Sequence, residues 1–163
     1  MKYRCLSREE LEDVREDFVK FLASNSITKD DWSRTKQDQP EAAQKMLELF
    51  SDIFWDKVLE NLKWAQIREK KSFRIFQIKD KWEMIHLKIN EDTPYDLTNP
   101  EHIQAVAGGA VGLAGLGLEI YTGTKALVKD RKTELFEMLE SGALPCSEAM
   151  WLSWESMVQQ GKQ

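Results

Sequence analysis

Four acidic side chains recur at every fourth position of one predicted helix, and this regular column is the first group that could do chemistry. Glu48, Asp52, Asp56 and Glu60 share one helical face. Like charges at this spacing repel each other by roughly a few tenths of a kcal/mol per pair. Relief could come from cations of the chain such as Lys2, from a cationic partner or from a metal ion. We favour internal partners on a solvated face, and we predict no metal because di-metal bundles pair Glu with a Glu-x-x-His motif on a helix, and this helix contains no histidine.

A polar group at the end of a predicted strand is the second candidate. Tyr121 and Lys125 stand four residues apart, and they could form a functional surface or only cap the strand. With His86 or His102 they could line the pocket of a small enzyme. The G-x-S-x-G turn of serine hydrolases is absent. We therefore predict no catalytic residue, and the sequence favours a protein that is not an enzyme.

Two tryptophans on the predicted last helix are the third candidate. Trp151 and Trp154 follow helical spacing, so core packing is the default interpretation. Tryptophan is also common among the residues that dominate protein interfaces. We predict that Trp151 or Trp154 contributes to a contact with another protein or to a homodimer.

The segment Ala105–Leu118, AVAGGAVGLAGLGL, contains no charge and is rich in glycine. It does not end in the Gly-Lys-Ser/Thr of a phosphate-binding loop. It also lacks the spacing and the following acid of a dinucleotide fingerprint. We predict an apolar loop that covers a sheet edge or inserts into a partner, and no bound cofactor.

Length and charge exclude several classes of function. The 163 residues fit one domain, and the net charge of −5 argues against general nucleic-acid binding, which needs a basic surface. No run of apolar residues reaches the roughly 18 of a membrane span. The first residues lack the apolar region of a signal peptide. Two cysteines, Cys5 and Cys146, are too few for a disulfide scaffold, and we expect reduced thiols in the cytoplasm.

The elements that position these groups follow from local patterns. Pro40–Arg68 predicts one long helix, apolar on most sides and wrapped by the rest of the chain. Ser7 and Thr28 begin shorter helices as capping residues. Ser72–Lys79 and Trp82–Asn90 predict a β-hairpin with apolar groups on both faces, and Leu118–Thr122 a third strand. The expected fold is a single α+β domain over residues 1–163, with a long central helix, a small antiparallel sheet of about three strands and flanking short helices.

Several stretches together resemble a known group of proteins. They are MKYRCLSREEL at the start, FLASNSITKDDW, ELFSDIFWDKVL, the YTGTKAL of Tyr121–Leu127 and ELFEMLESGAL. This order is similar to a family of small uncharacterised bacterial cytosolic proteins, a domain of unknown function. The resemblance implies one α+β domain, and it implies no activity, cofactor or catalytic residue.

These observations lead to two hypotheses. The first is a non-catalytic, acidic, cytoplasmic protein–protein interaction module that uses the acidic column, the terminal tryptophans and the Tyr121–Lys125 surface. The alternative is a small enzyme or ligand-binding protein with a pocket near Tyr121–Lys125 and the glycine-rich loop. A deep cavity lined by a histidine, Tyr121 and Lys125 would favour the enzyme, and an exposed apolar patch would favour the module.

Overall fold

The structure, a computed structural model, describes residues 1–108 and 113–161. It contains both helices and a sheet, which confirms the α+β class. The chain groups into two compact units, Met1–Glu60 and Asn61–Gln163. The single domain over residues 1–163 stays a prediction.

The first unit is helical, and its helices begin where local capping chemistry predicts. Its elements are α1 (Arg8–Asp13), α2 (Arg15–Ser24), α3 (Lys29–Asp38) and α4 (Pro40–Asn61). Ser7 and Thr28 each form a capping box with the acid three residues later, Glu10 and Asp31. The sequence pattern predicts one helix from Ser7 to about Ala23, but the structure has two, because the backbone at Val14 leaves helical geometry (φ −107°, ψ 24°).

Aromatic side chains form the centre of the first unit. Phe50 of α4 is 4% exposed, and its ring lies 5.0 Å from Phe18 and 5.3 Å from Phe21 of α2. Trp32 of α3 meets Phe18 edge to face at 5.3 Å. Three helices are thus joined through a few large rings, which is an efficient way to bury apolar area in a small unit.

The long helix is shorter than predicted. α4 ends at Asn61, and the last predicted turns form a strand, β1 (Trp64–Glu69). The prediction failed because Leu62 and Ala65 continue the helical spacing by chance, while the hydrogen bonds of β1 come from a strand later in the chain. The helix was predicted to be apolar and covered on most sides, but its residues Leu49 and Ile53 are 47% and 49% exposed.

Besides β1, the elements of the second unit are β2 (Ser72–Ile78), β3 (Lys81–Lys88), α5 (Pro100–Ala107), a 3-10 turn (Leu113–Leu116), β4 (Glu119–Ala126), α6 (Arg131–Glu140), β5 (Leu144–Pro145) and α7 (Glu148–Gly161). The strands form one antiparallel sheet in the order β4-β3-β2-β1-β5. The predicted hairpin is confirmed as β2–β3. The expectation of about three strands was wrong, because β1 and the two-residue β5 carry no strand pattern of their own.

One side of this sheet, called the helix-packed face, holds the core of the second unit. Phe73 and Ile75 of β2 lie opposite Leu87 and Ile85 of β3, and all four are buried. Residues of α5 and α7 complete this core. The ring of Trp154 lies 5.0 Å from that of Phe73.

The glycine-rich segment is only partly a loop. Ala105–Ala107 form the last turn of α5, and Leu113–Leu116 form the 3-10 turn, while residues 109–112 lie outside the described part of the chain. Leu116 is 1% exposed and belongs to the core. Gly117 has a φ of +58°, and a Cβ there would collide with the Asn90 side chain, so this position requires glycine.

Candidate functional site

The opposite side of the sheet, called the groove face, carries the alternate residues of the same strands. Phe76 of β2 lies opposite Met84 of β3, and Met84 lies opposite Gly123 of β4. These residues and Ile67 of β1 form an apolar floor, and α6 with the loop before it forms the other wall. Between them lies a groove of about 640 Å³. This volume is in the range of small-molecule sites in proteins.

Gly123 keeps the floor of the groove low. A Cβ at this position would lie 3.8 Å from Cε of Met84, which is an ordinary contact. A larger residue at position 123 would therefore project its side chain into the groove without colliding with Met84 of the neighbouring strand β3. The missing side chain at Gly123 leaves this part of the groove open.

The rim of the groove is aromatic and charged. Trp82 meets Phe76 edge to face at 5.6 Å, and the ammonium of Lys125 lies 5.5 Å from the Trp82 ring. On the other rim Lys129 forms an ion pair with Glu137 at 2.5 Å. The groove thus combines an apolar floor with a few polar groups at its mouth, as many ligand sites do.

Glu134 fixes the wall that α6 contributes. Its carboxylate accepts hydrogen bonds from the backbone N–H of Lys129 at 2.8 Å and of Val128 at 2.5 Å, and from the indole of Trp82. The side chain is 8% exposed. These bonds, led by that from Lys129, hold the pKa of Glu134 below its ordinary value, against the opposing effect of burial. One acid therefore ties the loop after β4 to the aromatic rim.

A polar row follows the groove floor along the sheet. Arg74, His86 and Tyr121 lie opposite one another on β2, β3 and β4. Nε2 of His86 lies 2.8 Å from the hydroxyl of Ser72. Burial first, then the charges of Lys88 and Arg74, lower the pKa of His86. A histidine within hydrogen-bond distance of a serine is one element of a nucleophile–base pair, but neither Ser72 nor His86 lines the groove.

Tyr121 and Lys125, predicted together, have different positions. Lys125 lines the groove. Tyr121 lies beyond Gly123 on the same strand, opposite His86 of β3, and does not line the groove. Tyr121 is 48% exposed and its hydroxyl donates to Glu119 at 2.7 Å, which raises the pKa of the phenol. The ammonium of Lys88 lies 5.8 Å from its ring.

The acidic column of α4 has partners inside the first unit. Asp52 accepts from the backbone N–H groups of Lys2 and Tyr3, both at 2.8 Å. Asp56 accepts from the ammonium of Lys2 and the hydroxyl of Tyr3, both at 2.9 Å. Two of the four acids thus hold the start of the chain on α4. Glu48 accepts from Gln44 at 3.2 Å, and Glu60 is exposed.

The remaining predicted groups have structural surroundings. Trp151 and Trp154 are 5% and 3% exposed and belong to the core, so packing accounts for both, and their interaction role stays a prediction. Nδ1 of His102 accepts from the backbone N–H of Asp96 at 2.9 Å. Burial raises the pKa of the Cys146 thiol to about 11.

Most of the groove was not predicted from the sequence. Phe76, Trp82 and Met84 were recognised as strand residues, but Glu134 was not singled out at all. The available signal was the hairpin itself, whose second apolar face predicts a partial cover. The element that covers this face is α6. Its position is not determined by the sequence of the hairpin.

Among residues 1–108 and 113–161, no helix is long and apolar enough to cross a membrane, and no three His, Cys, Asp or Glu side chains are grouped as metal ligands. No curated protein and no solved structure matches the chain. A family model does match, and it covers residues 1–159. The chain therefore belongs to DUF6495, a family of unknown function.

Proposed function

We propose that the second unit binds a small apolar molecule, by preference an aromatic one, in the groove beside Lys125. The observation that carries this proposal is the groove itself, about 640 Å³ over a floor of Ile67, Phe76, Met84 and Gly123. A groove of this volume with a mainly apolar lining and a few polar groups is the usual form of a small-molecule site. The groove overlaps the pocket predicted near Tyr121–Lys125 at Gly123, Thr124 and Lys125, whereas no described residue of the glycine-rich segment lines it.

The preference for an aromatic ligand follows from the rim. Trp82 and Phe76 already meet edge to face, so a flat ring entering the groove can stack on one and meet the edge of the other. Lys125 and Lys129 place ammonium groups at the mouth, where a polar end of the ligand would remain in water. His86 and Ser72 lie outside the groove, so the proposed role is binding and not catalysis.

The test is a titration with N-phenylnaphthylamine, an uncharged aromatic probe whose fluorescence rises in apolar surroundings. We expect saturable binding to the full chain. The variant Gly123→Leu places a side chain over the floor and should weaken binding at least tenfold. The control is Gly115→Leu, because a Cβ at Gly115 meets nothing within 4 Å and this residue does not line the groove. Equal binding by both variants would refute the proposal.

A second candidate function is the protein–protein interaction module, which exposed apolar side chains favour. Val128 is 83% exposed at the rim, and Leu144 and Leu152 are 59% and 52% exposed. Capture of a partner from a cell extract by the full chain, lost in Val128→Asp but kept in Val19→Asp, would support this candidate. Val19 is the matched control because it is 55% exposed and lies in the first unit.

The cellular setting is also part of the proposal. Both cysteines, Cys5 and Cys146, are free thiols, which suits a reducing compartment such as the bacterial cytoplasm. Fractionation of cells that express the tagged chain tests this setting, and recovery in a secreted or membrane fraction would contradict it.

A further inference from the structure

Strand β4 has an open side. It forms one edge of the sheet and pairs with β3 alone among the described strands. It is eight residues long and exposed along almost its whole length. Such an edge presents a row of backbone N–H and C=O groups that can pair with another strand. What pairs there is decided by the side chains that the edge carries.

Symmetry restricts how two copies of β4 could pair. An antiparallel pair related by a two-fold axis perpendicular to the sheet keeps each face continuous, so one residue must lie opposite its own copy. With Thr122 on the axis, Glu119 lies opposite Lys125 of the second copy, and Tyr121 lies opposite Gly123. Shifting the axis to Tyr121 or Gly123 removes the Glu119–Lys125 match.

The register centred on Thr122 is complementary in shape as well as in charge. On the groove face, Glu119 would lie opposite Lys125 at each end of the paired segment. Tyr121 would lie opposite Gly123 on either side of the axis. A tyrosine opposite a glycine covers the exposed backbone of that glycine. On the helix-packed side, Thr122 meets Thr122, and paired threonines are favourable across antiparallel strands.

We propose that two copies of this chain form a homodimer by antiparallel pairing of β4, with Thr122 on the two-fold axis. The paired strands would exchange roughly six to eight backbone hydrogen bonds. Opposite charges on exposed side chains contribute little affinity, so the Glu119–Lys125 pairs mainly set the register.

The dimer would complete the groove. Tyr121 already leans toward Glu119, to which its hydroxyl donates at 2.7 Å. In the paired register, Tyr121 lies opposite Gly123 of the second copy, and its ring points toward Lys125 of that copy. Both Gly123 and Lys125 line the groove. The ring of Tyr121 would therefore lie across the end of the groove of the second copy, so each copy contributes one wall to the other.

The expected affinity is modest. One edge-to-edge pair covers less than the roughly 1,200–2,000 Å² of a standard stable interface. The mass of the full chain in solution should therefore rise from one copy to two as its concentration increases through the micromolar range. Analytical ultracentrifugation measures this change.

The register is tested by disulfide trapping of the full chain. Thr122→Cys places each thiol opposite its own copy, at a separation that a disulfide can bridge. Thr124→Cys is the matched control, because two copies of residue 124 would be about 14 Å apart in this register. We expect a covalent dimer at residue 122 at least tenfold faster than at residue 124, measured against the background of Cys5 and Cys146 in the unchanged chain.

A charge exchange gives a second readout. Glu119→Lys and Lys125→Glu should each weaken the dimer severalfold, since each removes two attractive pairs and places like charges opposite one another twice. The double variant should recover most of that loss, which general damage to the sheet would not produce. A single-copy mass at every concentration, equal cross-linking at residues 122 and 124, or no recovery in the double variant would overturn the proposal.

Discussion

Replacing Glu134 by glutamine tests whether this acid holds the groove together. The amide oxygen of the introduced glutamine can still accept from the backbone of Val128 and Lys129, but its NH₂ group would then face the indole N–H of Trp82. The variant therefore loses one hydrogen bond and the charge that strengthens the others. We expect a loss of about 2 kcal/mol in the free energy of unfolding at pH 7.

The effect should depend on pH in one direction. The pKa of Glu134 in the folded protein lies below its ordinary value of 4.5. The stabilisation by the carboxylate is therefore complete above the unfolded pKa and fades as the pH falls through the folded one. The difference between the natural chain and Glu134→Gln should be full at pH 7 and should shrink toward pH 3.

The assay is urea denaturation followed by circular dichroism and tryptophan fluorescence at both pH values. The control is Glu137→Gln on the same helix, whose ion pair with Lys129 is half exposed, so its loss should cost less than about 0.5 kcal/mol. Equal stability of Glu134→Gln and the natural chain at pH 7, or a difference that does not change with pH, would show that the Glu134 carboxylate does not stabilise the folded chain in this way.

Two further predictions concern the core and the thiols. Phe73→Ala removes a fully buried ring that packs on Trp154, and it should cost about 3–5 kcal/mol in urea denaturation; a loss below about 1 kcal/mol would contradict the described packing. Cys146, with a pKa of about 11, should react with iodoacetamide at pH 8 at least tenfold more slowly in the folded chain than in urea. Mass spectrometry of the Cys146 peptide measures this rate, and equal rates would show that the thiol is not protected.

The parts of the fold that could be predicted are those that short segments determine. The helix starts at Ser7 and Thr28 could be predicted because the capping oxygen and the acidic residue that completes the capping box lie three residues apart. The β2–β3 hairpin was predicted for a similar reason, since its two strands flank one short turn. The break at Val14 lies inside a continuous apolar pattern, so local spacing did not reveal it.

The parts that could not be predicted depend on residues far apart in the chain. Trp64–Glu69 forms a strand because the edge of β2 is available to pair with it, while its own sequence continues the helical spacing of α4. The candidate site shows the same limit. Lys125 was singled out, but the groove beside it exists only because α6 returns over the sheet and places Glu134 against Trp82.

The two edge strands of the sheet differ in length, and this difference limits the assemblies that can form by strand addition. At one border β5 has only two residues, and one of them is Pro145, which has no N–H to donate. At the other, β4 offers eight residues. A second copy can add its β4 at the β4 edge. The edges that then remain free are the β5 edges of the two copies, which accept no further strand. Growth is therefore self-limiting, and this sheet favours closed pairs over fibres.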